Sequence, residues 1–212
     1  NEHAAAFADR NWTATPSTDA DAQVVVHPNN PTGTIWTEAT LPVPNAKLTI
    51  IDESFCDVTP EATLIARAAR NDTIILKSFG KFWGLAGLRL GFAIGPPALI
   101  GQLRAHLGPW AVSGPALRIG AEALADPHWA ETTRQRLTRD AARLDNLMGA
   151  AGASIVGGTT LFRLYDVGDA AAWQHRLAQH HIWTRIFPYN TRWLRLGLPH
   201  ALHWARLEAA VA

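Results

Sequence analysis

Residues 77–91 read KSFGKFWGLAGLRLG. The apolar run Thr73-Ile74-Ile75-Leu76 precedes them and predicts a short buried strand. Leu90-Gly91-Phe92-Ala93-Ile94-Gly95 follows and predicts a second strand closed by glycine. Between the two stands Lys81, in a segment with no acidic residue to pair it. Desolvation disfavours an ammonium ion, so a lysine in apolar surroundings at a strand end can become a free amine able to form a Schiff base. Ser78 and Arg89 flank it and offer a hydroxyl and a forked guanidinium, groups suited to a phosphate. On pattern alone, a surface turn carrying a solvated lysine is the better description.

Upstream, residues 48–51 (LTII) predict a strand that ends at Asp52 and Glu53. Alternation turns Glu53 away from Asp52, which makes Glu53 structural. A carboxylate at the end of a buried parallel strand faces the crevice where α/β folds place ligands, although a helix cap or turn is the commoner role for a lone aspartate. Residues 62–70 are alanine-rich with arginines toward the end and predict a helix joining the Asp52 strand to the Lys81 strand. Strand–helix–strand linkage of this length predicts parallel pairing with a right-handed crossover. Further upstream, residues 23–27 (QVVVH) predict a strand running into Pro28-Asn29-Asn30-Pro31-Thr32-Gly33, a rigid turn. Most such turns are connectors.

Downstream, helices are expected over 97–107, 115–124 and 128–149, the last with its arginines on a solvated face. Strands are expected over 154–156 and 160–165, split by Gly157-Gly158, then a helix over 170–180. Strands over 182–187 and 193–198 and a helix over 201–211 complete the chain. Arg185 and Arg195 fall on the last two strands. The fold class is therefore α/β: a mostly parallel sheet sandwiched by helices, with a smaller C-terminal α+β domain. The expected domains are 1–125 (large), 126–149 (connecting helix) and 150–212 (small).

The 212 residues are 48% hydrophobic and 17% charged, enough to bury a core. A formal net charge of +1 without basic runs argues against nucleic acid or an anionic membrane as partner. No apolar run reaches the roughly 20 residues of a membrane helix. The single cysteine, Cys56, excludes an internal disulfide and fits a reducing cytosol. The histidines show no metal-ligand spacing, so no metal is expected. Trp83 and Trp110 either line a site or interface or, as aromatics more often do, belong to the core.

Ser78-x-x-Lys81 followed by Gly84-Leu85-x-Gly87-Leu88-Arg89-x-Gly91 resembles the lysine segment of the fold-type I, aminotransferase-like enzymes that use pyridoxal 5'-phosphate. The resemblance implies that Lys81 carries the cofactor, that Ser78 and Arg89 contact its phosphate, and that Asp52 pairs with its pyridine nitrogen. The Asn-Pro-Thr-Gly segment implies that Asn30 donates to the phenolic oxygen, a fixed dipole that would tune the bound lysine. Phe55 departs from the commoner tyrosine and cannot donate to that oxygen. Arg195 matches the arginine that grips a substrate carboxylate, and Arg185 lies where relatives meet a substrate phosphate. The resemblance also implies a homodimer. Asn1 opens the chain mid-helix, as the C-terminal part of a longer protein would, leaving a phosphate loop and a stacking aromatic upstream.

Two activities within the family compete: transamination of histidinol phosphate, and decarboxylation of threonine phosphate to aminopropanol phosphate for cobalamin. KSFGKFWGLAGLRLGFAIG, LGPWAVSGPALRIGAEALAD and GGTTLFRLY resemble the decarboxylases. A non-catalytic sensor domain and an inactive fragment are the remaining readings.

Overall fold

The computed structural model describes residues 2–15, 19–42 and 46–212. Asn1, the first residue of the expected opening helix, lies outside them. The chain forms two compact units, one of residues 1–27 and 35–118, the other of residues 28–34 and 119–212.

The first unit contains α1 (Glu2–Ala8), β1 (Ala22–Val26), β2 (Leu48–Asp52), β3 (Thr73–Ser78), β4 (Gly91–Ile94) and α2 (Pro97–Leu107). Its sheet has the order β1-β2-β3-β4, parallel for the first three strands and antiparallel for β4. The α/β class and the parallel pairing of the Asp52 strand with the Lys81 strand agree with the sequence reading. β-Branched residues fill the strands, and alternation buries Val25 and Ile51. With Leu41 and Ile75 they form a core on which Trp36, Leu64 and Ile94 pack. The register sets Asp52 beside both Val26 and Leu76.

Several expected elements differ. Residues 62–70 form no α-helix but short 3-10 turns at Pro60–Ala62 and Ile65–Ala69. The Glu53 carboxylate accepts the Thr63 hydroxyl and the Leu64 amide, both at 2.6 Å, which ties down the start of the segment. So short a segment has little helical stability of its own. The strand expected over 160–165 begins only at Phe162, and the strand before it continues through Gly157-Gly158 to Thr159. Trp110 is not core: it is 91% exposed.

α3 (Gly114–Leu124) contains the passage from residue 118 to 119 between units. The second unit holds α4 (Pro127–Ala150), β5 (Ser154–Thr159), β6 (Phe162–Asp166), α5 (Ala170–Gln179), β7 (Arg185–Phe187), β8 (Asn190–Gly197) and α6 (Trp204–Val211). Its sheet is antiparallel in the order β5-β6-β8-β7. Asp126 and Asp169 cap α4 and α5 by accepting the amides of Trp129 and Ala172. α4 buries Leu137, Ala141, Leu144 and Met148 along one stripe. Leu144 and Met148 join Tyr165, Leu177, Leu194, Trp204 and Leu207 in the core.

Two polar features stabilise this unit. Asp145 accepts Arg163 through Nε and Nη2, both at 2.9 Å, and the hydroxyl of fully buried Tyr165 at 2.7 Å. Burial, reinforced by Asp145, raises the Tyr165 pKa and keeps the phenol protonated. The turn at residues 28–34 packs on β5. The Gly158 amide donates to the Thr32 carbonyl at 2.9 Å. A Cβ on Gly33 would lie 2.0 Å from the Gly158 carbonyl oxygen, and one on Gly157 would lie 2.1 Å from that of Thr32. Gly33 also has φ of +73°, a conformation that side chains resist.

Asp145→Ala is expected to lower stability by about 2–4 kcal/mol, because it strands a buried phenol and an arginine together. Denaturant titration measures this, and a loss below about 0.5 kcal/mol would contradict the assignment. Cys56 gives a second check. Burial first, then the charge of Glu53, pushes its thiol up to about 12. Cys56 is therefore expected to ignore a disulfide reagent at pH 8 until denaturant is added. Rapid labelling of the native chain would refute this.

Candidate active site

The candidate site residues of the first unit gather where β2 and β3 end. Asp52 is the last residue of β2 and Ser78 the last of β3. These are adjacent parallel strands, so both residues leave the sheet at its C-terminal edge. Asp52 is mostly buried. Its Oδ1 accepts the amide and hydroxyl of Ser54, at 2.9 and 2.5 Å, which fixes the carboxylate plane. Its Oδ2 lies 2.8 Å from Nε2 of His3 on α1.

Lys81 follows β3 in a tight turn. The turn is closed by Gly84 N–H to Lys81 C=O at 3.0 Å and Leu85 N–H to Phe79 C=O at 2.9 Å. The ammonium nitrogen lies 5.4 Å from the centroid of the Phe55 ring, so the loop after β2 meets the turn after β3. Phe55, which cannot donate a hydrogen bond, thus serves as an apolar floor beneath the lysine. Ser78 Oγ accepts the Gly80 amide at 3.1 Å. Arg89 occupies the left-handed region at φ 53° and donates to the Ala86 carbonyl at 3.3 Å. Neither Lys81 nor Arg89 has a carboxylate partner among the described residues.

The other two lysines differ in this respect. Lys47 is exposed and pairs with Asp21 at 2.7 Å. Lys77 on β3 meets Glu53 at 2.8 Å and Asp57 at 3.0 Å. Burial would lower the Lys77 pKa, but the bond to Glu53 and the charges of Asp57 and Glu53 outweigh it and hold the pKa above the usual lysine range. Glu53 itself is fully buried, facing away from Asp52 toward Thr63, Leu64 and Lys77. Asp57 also accepts the Trp83 indole N–H at 2.8 Å.

In the second unit, Arg185 on β7 stands directly opposite Arg195 on β8. Like charges in a cross-strand pair are unfavourable unless an anion joins them. Burial, then the charge of Arg185, lowers the Arg195 pKa below the ordinary guanidinium value. Arg195 Nη1 donates to Oδ1 of Asn30 and lies over the Phe162 ring. Because arginine only donates, the Asn30 oxygen must face it, which leaves the Asn30 amide N–H₂ turned outward as a donor. Neither arginine has a carboxylate partner among the described residues.

Two other places lie apart from these residues. The ligand atoms of His27, Glu53 and Cys56 lie within 4.8 Å of one another. Each is already engaged: His27 Nδ1 accepts the Trp36 amide, His27 Nε2 donates to the Ala62 carbonyl, Cys56 Sγ donates to the Thr59 carbonyl at 3.6 Å, and Glu53 is held as above. This is a hydrogen-bonded core. A concavity of about 650 Å³ in the second unit, lined by Ala171, Ile186, Phe187 and Thr191, contains none of the predicted residues.

Sequence reasoning missed His3 and Asp57. His3 lies 49 positions from Asp52, and a lone histidine on a short helix carries no local signal. Asp57 lies five residues beyond Asp52, but its partner Lys77 is 20 positions away, and spacing does not link them.

The chain matches the aminotransferase class I and II family over residues 12–211. It is 41% identical to the threonine-phosphate decarboxylase of Pseudomonas aeruginosa over 198 residues, covering 90% of this chain and 60% of that protein. It is 30% identical to the histidinol-phosphate aminotransferase of Granulibacter bethesdensis over 158 residues, 69% of this chain and 42% of that one. Among solved structures, the histidinol-phosphate aminotransferase of Sinorhizobium meliloti in complex with pyridoxal 5'-phosphate superposes with a TM-score of 0.76. It shares 21% identity, over 98% of this chain and 58% of that one. The chain thus spans about 60% of the length of the decarboxylase it matches. With the matched segment running through the strand ends that carry Asp52, Ser78 and Lys81, this chain belongs to the aminotransferase class I and II family.

Proposed function

We propose that this chain belongs to an enzyme that uses pyridoxal 5'-phosphate to decarboxylate L-threonine O-3-phosphate, giving aminopropanol phosphate for cobalamin synthesis. The observation that carries the choice is the identity of 41–42% to threonine-phosphate decarboxylases over about nine-tenths of the chain, against about 30% for histidinol-phosphate aminotransferases.

The donor set of the first unit fits the cofactor. An amine without a carboxylate partner suits an aldehyde, and a carboxylate with one oxygen fixed by Ser54 suits a protonated ring nitrogen. The Ser78 hydroxyl and the Arg89 guanidinium suit a phosphate. When bound, pyridoxal phosphate supplies an aldehyde that condenses with amines and a ring that takes up the electron pair left on the substrate α-carbon.

The residues then have distinct tasks. Lys81 would supply the nucleophilic amine and a group able to move a proton. Asp52, oriented by Ser54, would balance a positive ring nitrogen. The Asn30 amide is a donor for an anionic oxygen. Arg195 and Arg185 supply two opposed guanidinium groups, as a substrate with both a carboxylate and a phosphate requires. In decarboxylation the α-carbon–carboxylate bond breaks, CO2 leaves, and the electron pair remaining on carbon takes a proton, a delivery this reading assigns to Lys81. Transamination would break the α-carbon–hydrogen bond instead. The choice between the two would rest on how the carboxylate-binding arginine orients the substrate.

Supplied with threonine phosphate, the enzyme is expected to release one CO2 per aminopropanol phosphate formed. Transfer of the amino group from histidinol phosphate to 2-oxoglutarate, without CO2 release from threonine phosphate, would overturn the reading in favour of the aminotransferase. Arg195→Lys is expected to raise KM for threonine phosphate about 10–100-fold through loss of the forked contact, as steady-state kinetics would show. An unchanged KM would remove Arg195 from substrate binding.

A further inference from the structure

Lys81 sits between two groups that share one carboxylate. Four residues before it, Lys77 donates to Asp57 Oδ1 at 3.0 Å; two residues after it, the Trp83 indole donates to Asp57 Oδ2 at 2.8 Å. The two oxygens of a single side chain therefore fasten the strand that leads into the Lys81 turn and the segment that leaves it. Trp83 cannot drift along this contact, because its ring also stacks on buried Phe79 at 5.5 Å with the planes 16° apart. Asp57 comes from the 3-10 turn Cys56–Val58, which directly follows Phe55, the floor beneath the Lys81 amine.

The same contact has a second consequence. Lys77 lies on β3 only one residue before Ser78, close in sequence to the proposed cofactor groups. A free amine there would compete with Lys81 for an aldehyde. Paired with both Glu53 and Asp57, Lys77 remains an ammonium ion and is not nucleophilic.

We propose that Asp57 is a positioning residue for Lys81: it clamps both sides of the lysine turn and, with Glu53, keeps Lys77 out of the chemistry. The inference rests on the cofactor reading above, but its first test does not need the cofactor. In the cofactor-free protein, brief reductive methylation with formaldehyde and cyanoborohydride, followed by peptide mapping, compares Lys77 with Lys47 as internal standard. Asp57→Asn keeps the shape and loses the charge. It is expected to raise Lys77 methylation about tenfold, the effect of lowering its pKa by one unit. Trp83→Phe keeps the ring stack and loses the donor, and should leave Lys77 protected. Absorbance titration with pyridoxal phosphate should then show affinity about tenfold weaker in both variants, the worth of one hydrogen bond.

Lys77 as protected in Asp57→Asn as in the parent, or parent affinity for the cofactor in both variants, would overturn the proposal. Should Asp57→Asn not fold, Trp83→Phe alone decides whether the clamp supports Lys81. A parent protein that binds no pyridoxal phosphate would refute the cofactor reading, while the methylation of Lys77 would still decide its masking.

Discussion

The register between β2 and β3 is the constraint on which the site depends. Parallel pairing sets Asp52 beside Leu76, two residues before β3 ends at Ser78. A carboxylate and a lysine-bearing turn thereby leave the sheet at one edge. Strand side chains alternate between faces, so a slip of one residue would send Asp52 to the opposite face and bring buried Glu53 to the edge. The register is held by apolar and polar contacts together. Val25, Ile51 and Ile75 pack in one core, and Glu53 is pinned by Thr63, Leu64 and Lys77. Misplacing a fully buried carboxylate would leave it unpaired, which is costly.

The electrostatics divide labour among three lysines. Lys47 and Lys77 each face carboxylates, and those partners raise the pKa of each. Lys81 instead faces the phenyl ring of Phe55. Lys47 and Lys77 are thus held as ammonium ions by their carboxylate partners, whereas Lys81 has no such partner among the described residues. The opposed Arg185 and Arg195 show the complementary arrangement, two cations in a register that an anion would relieve.

Much of this was legible in the sequence, for reasons that differ by residue. Strands 48–51 and 73–76 are short β-branched runs, and their linkage predicts parallel pairing without knowledge of any tertiary contact. Asp52, Ser78 and Lys81 are tied to those strand ends by chain connectivity, so local patterning locates them. The helix expected over 62–70 did not form; the segment takes short 3-10 turns, and its start is tied to Glu53, a contact that spacing does not reveal. The glycines at 157 and 158 read as a strand break. Instead, a side chain on Gly157 would collide with the Thr32 carbonyl of the Asn30 turn, and one on Gly158 with the backbone of β6 at Phe162 and Arg163. His3 and the double role of Asp57 depend on contacts that have no signature in spacing. The likeness of this segment to a known lysine motif supplied the cofactor; the residue pattern by itself described an ordinary surface turn.

The central claim is that one particular amine, Lys81, is the group that condenses with pyridoxal phosphate. The direct measurement is to incubate the protein with the cofactor, reduce with borohydride and identify the modified lysine by peptide mass mapping. The account predicts a single pyridoxyl group on Lys81. A label on Lys47 or Lys77 in place of Lys81, or no label at all, would contradict it.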